Sequence, residues 1–194
     1  MSSQDIRDLA RLHVASLPDS LVGAFGEGYV RAFYRFVARS SREVLAVRRG
    51  SDGHVCAAGV VSLAPGTFER RLLGGTPLAW YAVCRLPALA ARVWRAWREP
   101  RHPVPPAGCE PGLPELILTF ADARLRGQGH GAALLRELED RLAGQGVKAY
   151  QVRTVLDASN AALAFYRANG FAPVGVSRRL GTNFQVFVKS AFPA

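Results

Sequence analysis

The residues with the plainest chemical potential are the glycines of Ala121-Asp122-Ala123-Arg124-Leu125-Arg126-Gly127-Gln128-Gly129-His130-Gly131-Ala132. Gly127, Gly129 and Gly131 let backbone N–H groups come close to a ligand. The first amides of a helix starting here have no partner inside the helix. They carry the positive end of its dipole, which makes an anion cradle suited to a pyrophosphate. Arg126 adds a permanent positive charge. The GxGxG spacing differs from the GxGxxG of dinucleotide-binding folds, no acidic residue closes a strand about 20 residues on, and the loop lies late in the chain. No GK[ST] follows, so a P-loop is excluded. The alternative is a glycine-rich turn that only permits tight helix packing.

Such a loop needs a strand leading in and an apolar-faced helix leading out. Leu116 to Ala121 is a short apolar strand ending at Asp122, and Gln128 to Ala143 is a helix with Ala132, Leu135, Leu138 and Leu142 inward. Upstream, Asp5 to Ala15 and Gly26 to Arg39 repeat apolar residues at helical spacing. Glu43 to Val47 and His54 to Leu63 form a hairpin about Gly50-Ser51-Asp52-Gly53. Downstream come a strand at Val147 to Val155, a helix at Asn160 to Ala168 closed by Asn169-Gly170, and strands at Pro173 to Arg178 and Phe184 to Val188. The order is α-α-β-β, an insertion, then β-α-β-α-β-β.

Arg126-x-x-Gly129-x-Gly131 resembles the [RQ]xxGxG/A acetyl-CoA motif of the GNAT superfamily of N-acetyltransferases, and Asn160-Ala161-Ala162-Leu163-Ala164-Phe165-Tyr166-Arg167-Ala168-Asn169-Gly170-Phe171 resembles its NxxAxxFYxxxGF motif. The two stand in the family's order about 35 residues apart, and the resemblance runs from Leu116 to Lys189, more loosely over residues 5–64. It implies a mixed, largely antiparallel central sheet flanked by helices, an α/β fold. The family's first strand has almost no room in Met1 to Gln4.

The resemblance also implies roles. Two neighbouring parallel strands splay apart in this family, so Phe120, Ala121 and Asp122 are expected to bind the pantetheine arm through their backbone. Arg126, Gly127, Gln128, Gly129, His130, Gly131 and Ala132 are expected to hold the pyrophosphate. Tyr166 matches the tyrosine that donates to the departing thiolate; the alternative is a core tyrosine whose hydroxyl reaches the surface. Glu115 stands where one branch carries its base, the alternative being a solvated carboxylate after Pro114. Asn160 is expected to cap its helix, to bond the pantetheine arm, or both.

Composition narrows the class. The chain has 194 residues, of which 49% are hydrophobic, and no apolar run approaches a bilayer span, which sets aside disordered, collagen-like and membrane-spanning proteins. One domain over 1–194 is expected, with an insertion at 65–114 made of a helical flap and a Pro-rich linker. No secretory signal opens the chain, so the cytoplasm is expected. Cys56, Cys84 and Cys109 read as free thiols, and His13, His54, His102 and His130 have no metal-ligand spacing, so no metal is expected. The formal charge of +10 rests almost wholly on arginine, a compositional bias rather than a nucleic-acid face, and no nucleic acid partner is expected.

Half of that charge, +5, lies between Glu69 and Arg101. Within the insertion Pro87 begins a helix with Leu89, Val93, Ala96 and Trp97 at helical spacing and Arg92, Arg95 and Arg98 on other faces. Three readings stand for it: a flap packed on the core, a basic lid over an anionic acceptor, or an interfacial helix on anionic lipid. The expectation is an acetyl-CoA-dependent N-acetyltransferase acting on a small primary amine, an amino sugar among the candidates, by direct attack in a ternary complex. The alternatives are a non-catalytic acyl-CoA-binding module and a protein N-acetyltransferase. The oligomeric state is not readable.

Overall fold

The computed structural model describes residues 1–17, 20, 22–75, 112–179 and 181–190. Helix α1 (Ser3–Ser16) starts two residues before its apolar periodicity because Ser2 and Asp5 cap each other. Ser2 Oγ accepts from the Asp5 amide at 3.1 Å, and Asp5 Oδ2 accepts from the Ser2 amide at 2.9 Å. Helix α2 (Glu27–Arg39) packs Val30, Phe33 and Val37 against Leu9 and Ala10 of α1.

The sheet holds β1 (Glu43–Arg49), β2 (Val55–Ser62), β3 (Glu115–Ala121), β4 (Ala149–Val155), β5 (Ala172–Arg179) and β6 (Thr182–Ser190), in the order β1-β2-β3-β4-β6-β5. Every neighbouring pair is antiparallel except β3 and β4. Among the described residues no strand precedes α1, so β1 is the edge of the sheet on that side. Helices α1 and α2 cover the face that carries Val60 and Phe120.

The other face is covered by α4 (His130–Ala143) and α5 (Ala161–Ala168). Leu134, Leu135, Leu138 and Leu142 pack there with Val44, Ala46, Leu116, Tyr150 and Val152. The inward face differs from the expected one: Leu134 is fully buried, whereas Ala132 is only half-buried. Glu139 also turns inward. Its carboxylate accepts from the Tyr150 hydroxyl at 2.8 Å and from Lys189 Nζ at 2.6 Å, which satisfies a charge that would otherwise be costly to bury.

Helix α3 (Pro65–Gly75) opens the expected insertion. Phe68 meets Phe33 and Phe36 of α2 edge-on, and Arg71 bonds the side chains of Glu43 and Ser62. The helix expected from Pro87, the Pro-rich linker up to Pro111, all three tryptophans, Cys84 and Cys109 lie outside the described residues. No described helix is long and apolar enough to cross a membrane.

Candidate active site

The central feature is a split in the sheet. β3 and β4 are seven residues each, yet they pair only at Glu115↔Gln151 and Leu116↔Val152. The cause lies one residue further on. Val61 faces Leu116 but Val60 faces Leu118, so Ile117 is an extra residue, and a bulge there bends β3 and increases its twist.

The bulge also decides which backbone groups face the gap. The Asp122 amide donates to the Cys56 carbonyl at 2.8 Å, so Asp122 and, by alternation, Phe120 spend their main-chain groups on β2. Thr119 and Ala121 aim theirs into the gap. Of the three residues expected to offer backbone there, Ala121 does so and Phe120 and Asp122 do not; Thr119 was missed, because parity beyond a bulge is invisible in the sequence. The Asp122 carboxylate has another task. It caps a 3-10 turn over Ala123–Leu125 by accepting from the Arg124 amide at 2.9 Å, and it accepts from the Arg124 guanidinium. Those bonds hold its pKa down to about 2.

The glycine loop follows. Gly127 (φ 78°) and Gly129 (φ 80°) are left-handed, and an added Cβ at either would meet nothing within 4 Å, so the space above them is open. Gly129 caps α4, which is why the helix starts at His130 rather than Gln128. No side chain caps it, and the first helical bond runs from the Ala133 amide to the Gly129 carbonyl. The amides of His130, Gly131 and Ala132 are therefore the unpaired ones. Gly131 serves packing instead of access: a Cβ there would stand 3.1 Å from Phe165 Cε2 on α5. Arg126 and Gln128 are exposed at the rim. The His130 ring turns inward, with Nδ1 3.5 Å from Cys56 Sγ, a thiol whose pKa burial raises.

Tyr166 lies on the same face. Its ring packs against Phe165, Phe171 and Phe187, and Phe187 is the register partner of Val152, the last β4 residue paired with β3. It therefore sits by the root of the split. Burial raises its hydroxyl well above the usual phenol range, which keeps it a protonated donor. Asn160 caps α5 through Oδ1, which accepts from the Ala162 amide at 3.1 Å. Its Nδ2 donates to Thr154 Oγ1 at 2.9 Å and to the Val155 carbonyl at 2.7 Å. With all three bonds made, Asn160 ties α5 to the end of β4 and has no N–H left for a ligand.

Glu115 lies on the opposite face of the sheet, since its neighbour Leu116 faces α4. It is buried, and both its oxygens are engaged: Arg153 Nε donates to Oε1 at 2.8 Å and Nη2 to Oε2 at 2.6 Å, with Gln151 Nε2 at 3.3 Å. Both oxygens of Glu115 thus accept from one guanidinium in a bidentate pair. Arg153 itself was missed, because only the register of β3 on β4 reveals that it reaches Glu115. Among the described residues no three His, Cys, Asp or Glu side chains gather as metal ligands do.

The site thus brings together, on one mixed sheet, a split parallel pair, an uncapped helix start and a buried tyrosine. A profile of the acetyltransferase (GNAT) family matches residues 16–171, and the chain belongs to that family of N-acyltransferases. No curated protein matches the chain. Among solved structures, the ribosomal-protein-S18-alanine N-acetyltransferase from Escherichia coli is similar at 14% identity and a TM-score of 0.59, over 100% of this chain and 92% of that one. The PaiA N-acetyltransferase from Thermoplasma acidophilum, solved in complex with coenzyme A, is similar at 13% identity and a TM-score of 0.59, over 98% and 96%. The ribosomal-protein-alanine N-acetyltransferase from Brucella melitensis gives 16% identity and 0.58, over 98% and 97%. At these identities the likeness is one of fold.

Proposed function

We propose that this protein is an acetyl-CoA-dependent N-acetyltransferase that passes the acetyl group directly to a primary amine of a small molecule in a ternary complex. The observation that carries the reading is the gap between β3 and β4, which runs from an uncapped helix start at one end to the neighbourhood of Tyr166 at the other. Acetyl-CoA, when bound, supplies the acetyl group as a thioester. In this reading the amides of His130, Gly131 and Ala132, the open backbone of Gly127 to Gly129 and the charge of Arg126 hold the pyrophosphate. Thr119 and Ala121 pair with the pantetheine arm as an added strand would.

The chemistry asked of the side chains is small, because positioning does most of it. Tyr166 donates a hydrogen bond to the sulfur as the C–S bond breaks. The acceptor enters from the face away from α4 and must bind as the free amine. With a pKa of about 10.4, holding it neutral near pH 7.4 costs roughly 4 kcal/mol. Glu115, bonded to Arg153, leaves the proton released after attack to water.

The test is calorimetry with acetyl-CoA beside a thiol-release assay over an amine panel that includes amino sugars, amino acids and an alanine-initiated peptide. Binding together with amine-dependent CoA release supports the reading. Binding without release for any amine would leave a CoA-binding module, and release with the peptide alone would move the acceptor to proteins.

A further inference from the structure

On the face of the sheet away from Tyr166, the root of the split carries one ionic cluster: Glu115 on β3, Gln151 and Arg153 on β4. Arg153 is the first β4 residue beyond the last pair with β3, and its side chain reaches back across the opening to Glu115. It does so side-on, spending Nε and Nη2. Nη1, with two N–H groups, makes no hydrogen bond among the described residues, and the Arg153 side chain keeps 28% of its exposure while Glu115 keeps 8%. Gln151 likewise spends one N–H of its amide on Glu115. The cluster thus presents a fixed edge of donors, with the carboxylate beneath it already used.

The position of that edge gives it a use. The glycine loop and Tyr166 belong to the α4/α5 face, so a nucleophile attacking a thioester held at the split comes from the other face, where Arg153 stands. We propose that Arg153, oriented by Glu115 and flanked by Gln151, is a specificity-determining residue that binds a carboxylate on the acceptor, making the preferred acceptor an amine that also carries a carboxyl group. This inference rests on the reading of the gap as the acyl-transfer site. A planar guanidinium edge beside an amide N–H matches the two coplanar oxygens of a carboxylate. Glu115 fixes the guanidinium in place and at the same time offsets part of its charge, so the preference it confers is moderate, roughly tenfold.

That double role makes the test sharp. If the pair were only a strap between β3 and β4, Glu115→Gln and Arg153→Gln would harm the protein alike. Carboxylate recognition predicts opposite signs, because Glu115→Gln releases the full charge of Arg153 and Arg153→Gln removes it. The assay compares kcat and KM of the full chain for β-alanine and propylamine, and for alanine and alaninamide. Arg153→Gln is expected to raise KM roughly tenfold for the carboxylate member of each pair and Glu115→Gln to lower it, with kcat little changed. Arg153→Gln strands a buried carboxylate, so Glu115→Gln/Arg153→Gln, which removes both charges at nearly constant volume, is measured beside it and is expected to show no carboxylate preference.

Tyr166→Phe serves as the control for the underlying reading: it is expected to lower kcat on both members of a pair and leave the preference intact. Binding of N-acetyl-β-alanine to the CoA-loaded protein, read by calorimetry, tests Arg153 without any turnover. An absence of carboxylate preference in the wild type, or the same sign from both single substitutions, overturns the proposal while leaving the acyl-transfer site standing. Failure of CoA to bind at all strikes that reading instead.

Discussion

Replacing Tyr166 by Phe isolates one hydroxyl. The ring keeps its contacts with Phe165, Phe171 and Phe187, so the stability change is expected to stay within about 0.5 kcal/mol. The kinetic effect follows from acidity. Burial raises the phenol above its ordinary value of 10.0, whereas a departing thiolate has a pKa of about 8.5. Full proton transfer to sulfur is therefore uphill, and in the proposed mechanism Tyr166 helps by donating a hydrogen bond to developing charge. Such a bond is worth about 1.5–3 kcal/mol, or roughly 10- to 150-fold in kcat. In the proposed role the protonated form is the active one, and since burial raises its pKa above 10.0, activity owed to Tyr166 is expected to be retained through pH 9.5 and lost only above that. Thiol-release kinetics from pH 6.5 to 9.5, with acetyl-CoA affinity measured separately, check both statements. An unchanged kcat in a folded Tyr166→Phe protein, or an activity loss with an apparent pKa below 9 that disappears in the variant, would refute the assignment.

Gly129→Val places a branched side chain at φ 80° in the open space above the loop, and acetyl-CoA affinity is expected to fall at least tenfold by calorimetry. Arg126→Ala is expected to weaken binding roughly two- to fivefold at low salt, the difference shrinking as salt is raised. Gly131→Ala drives a methyl to 3.1 Å from Phe165 and is expected to cost about 1 kcal/mol in urea unfolding, a cost relieved by Phe165→Leu. His13 is buried between Tyr34 and Ser20, at 2.9 and 3.0 Å, and burial pulls its pKa from 6.5 to about 4. The unfolded chain takes up that proton first as pH falls. Stability is therefore full above pH 6.5 and drops toward pH 4 by about 3 kcal/mol, a slope that His13→Gln removes from unfolding curves taken between those limits.

Periodic apolar patterns make most elements legible in the sequence: α1, α2, the β1–β2 hairpin and the strands around α4 and α5 fall where their spacing puts them. Helix ends were less legible where a side chain or a left-handed glycine decides them, as Ser2 with Asp5 does for α1 and Gly129 does for α4. Leu134 replaces Ala132 on the inner face because the helix phase follows from where α4 docks. The left-handed glycines of the loop fall where residue type and spacing put a helix start, whereas the role expected of Tyr166 came only from the resemblance of residues 160–171 to the family's second motif. Thr119, the pairing of Arg153 with Glu115 and the threefold use of the Asn160 side chain were not readable, since each depends on strand register or on the Ile117 bulge. Local spacing carries no signal for bonds made across strands 36 residues apart, as between Glu115 and Gln151.

In the proposed site, particular backbone amides line the gap between β3 and β4. Site-resolved amide hydrogen exchange with and without acetyl-CoA reads them one by one. In the free protein Thr119 and Ala121 are expected to exchange fast and Phe120 and Asp122, bonded to β2, slowly. With acetyl-CoA bound, Thr119, Ala121, His130, Gly131 and Ala132 are expected to slow markedly while Phe120 and Asp122 change little. Saturating acetyl-CoA that leaves Thr119 and Ala121 exchanging as fast as before would contradict the account.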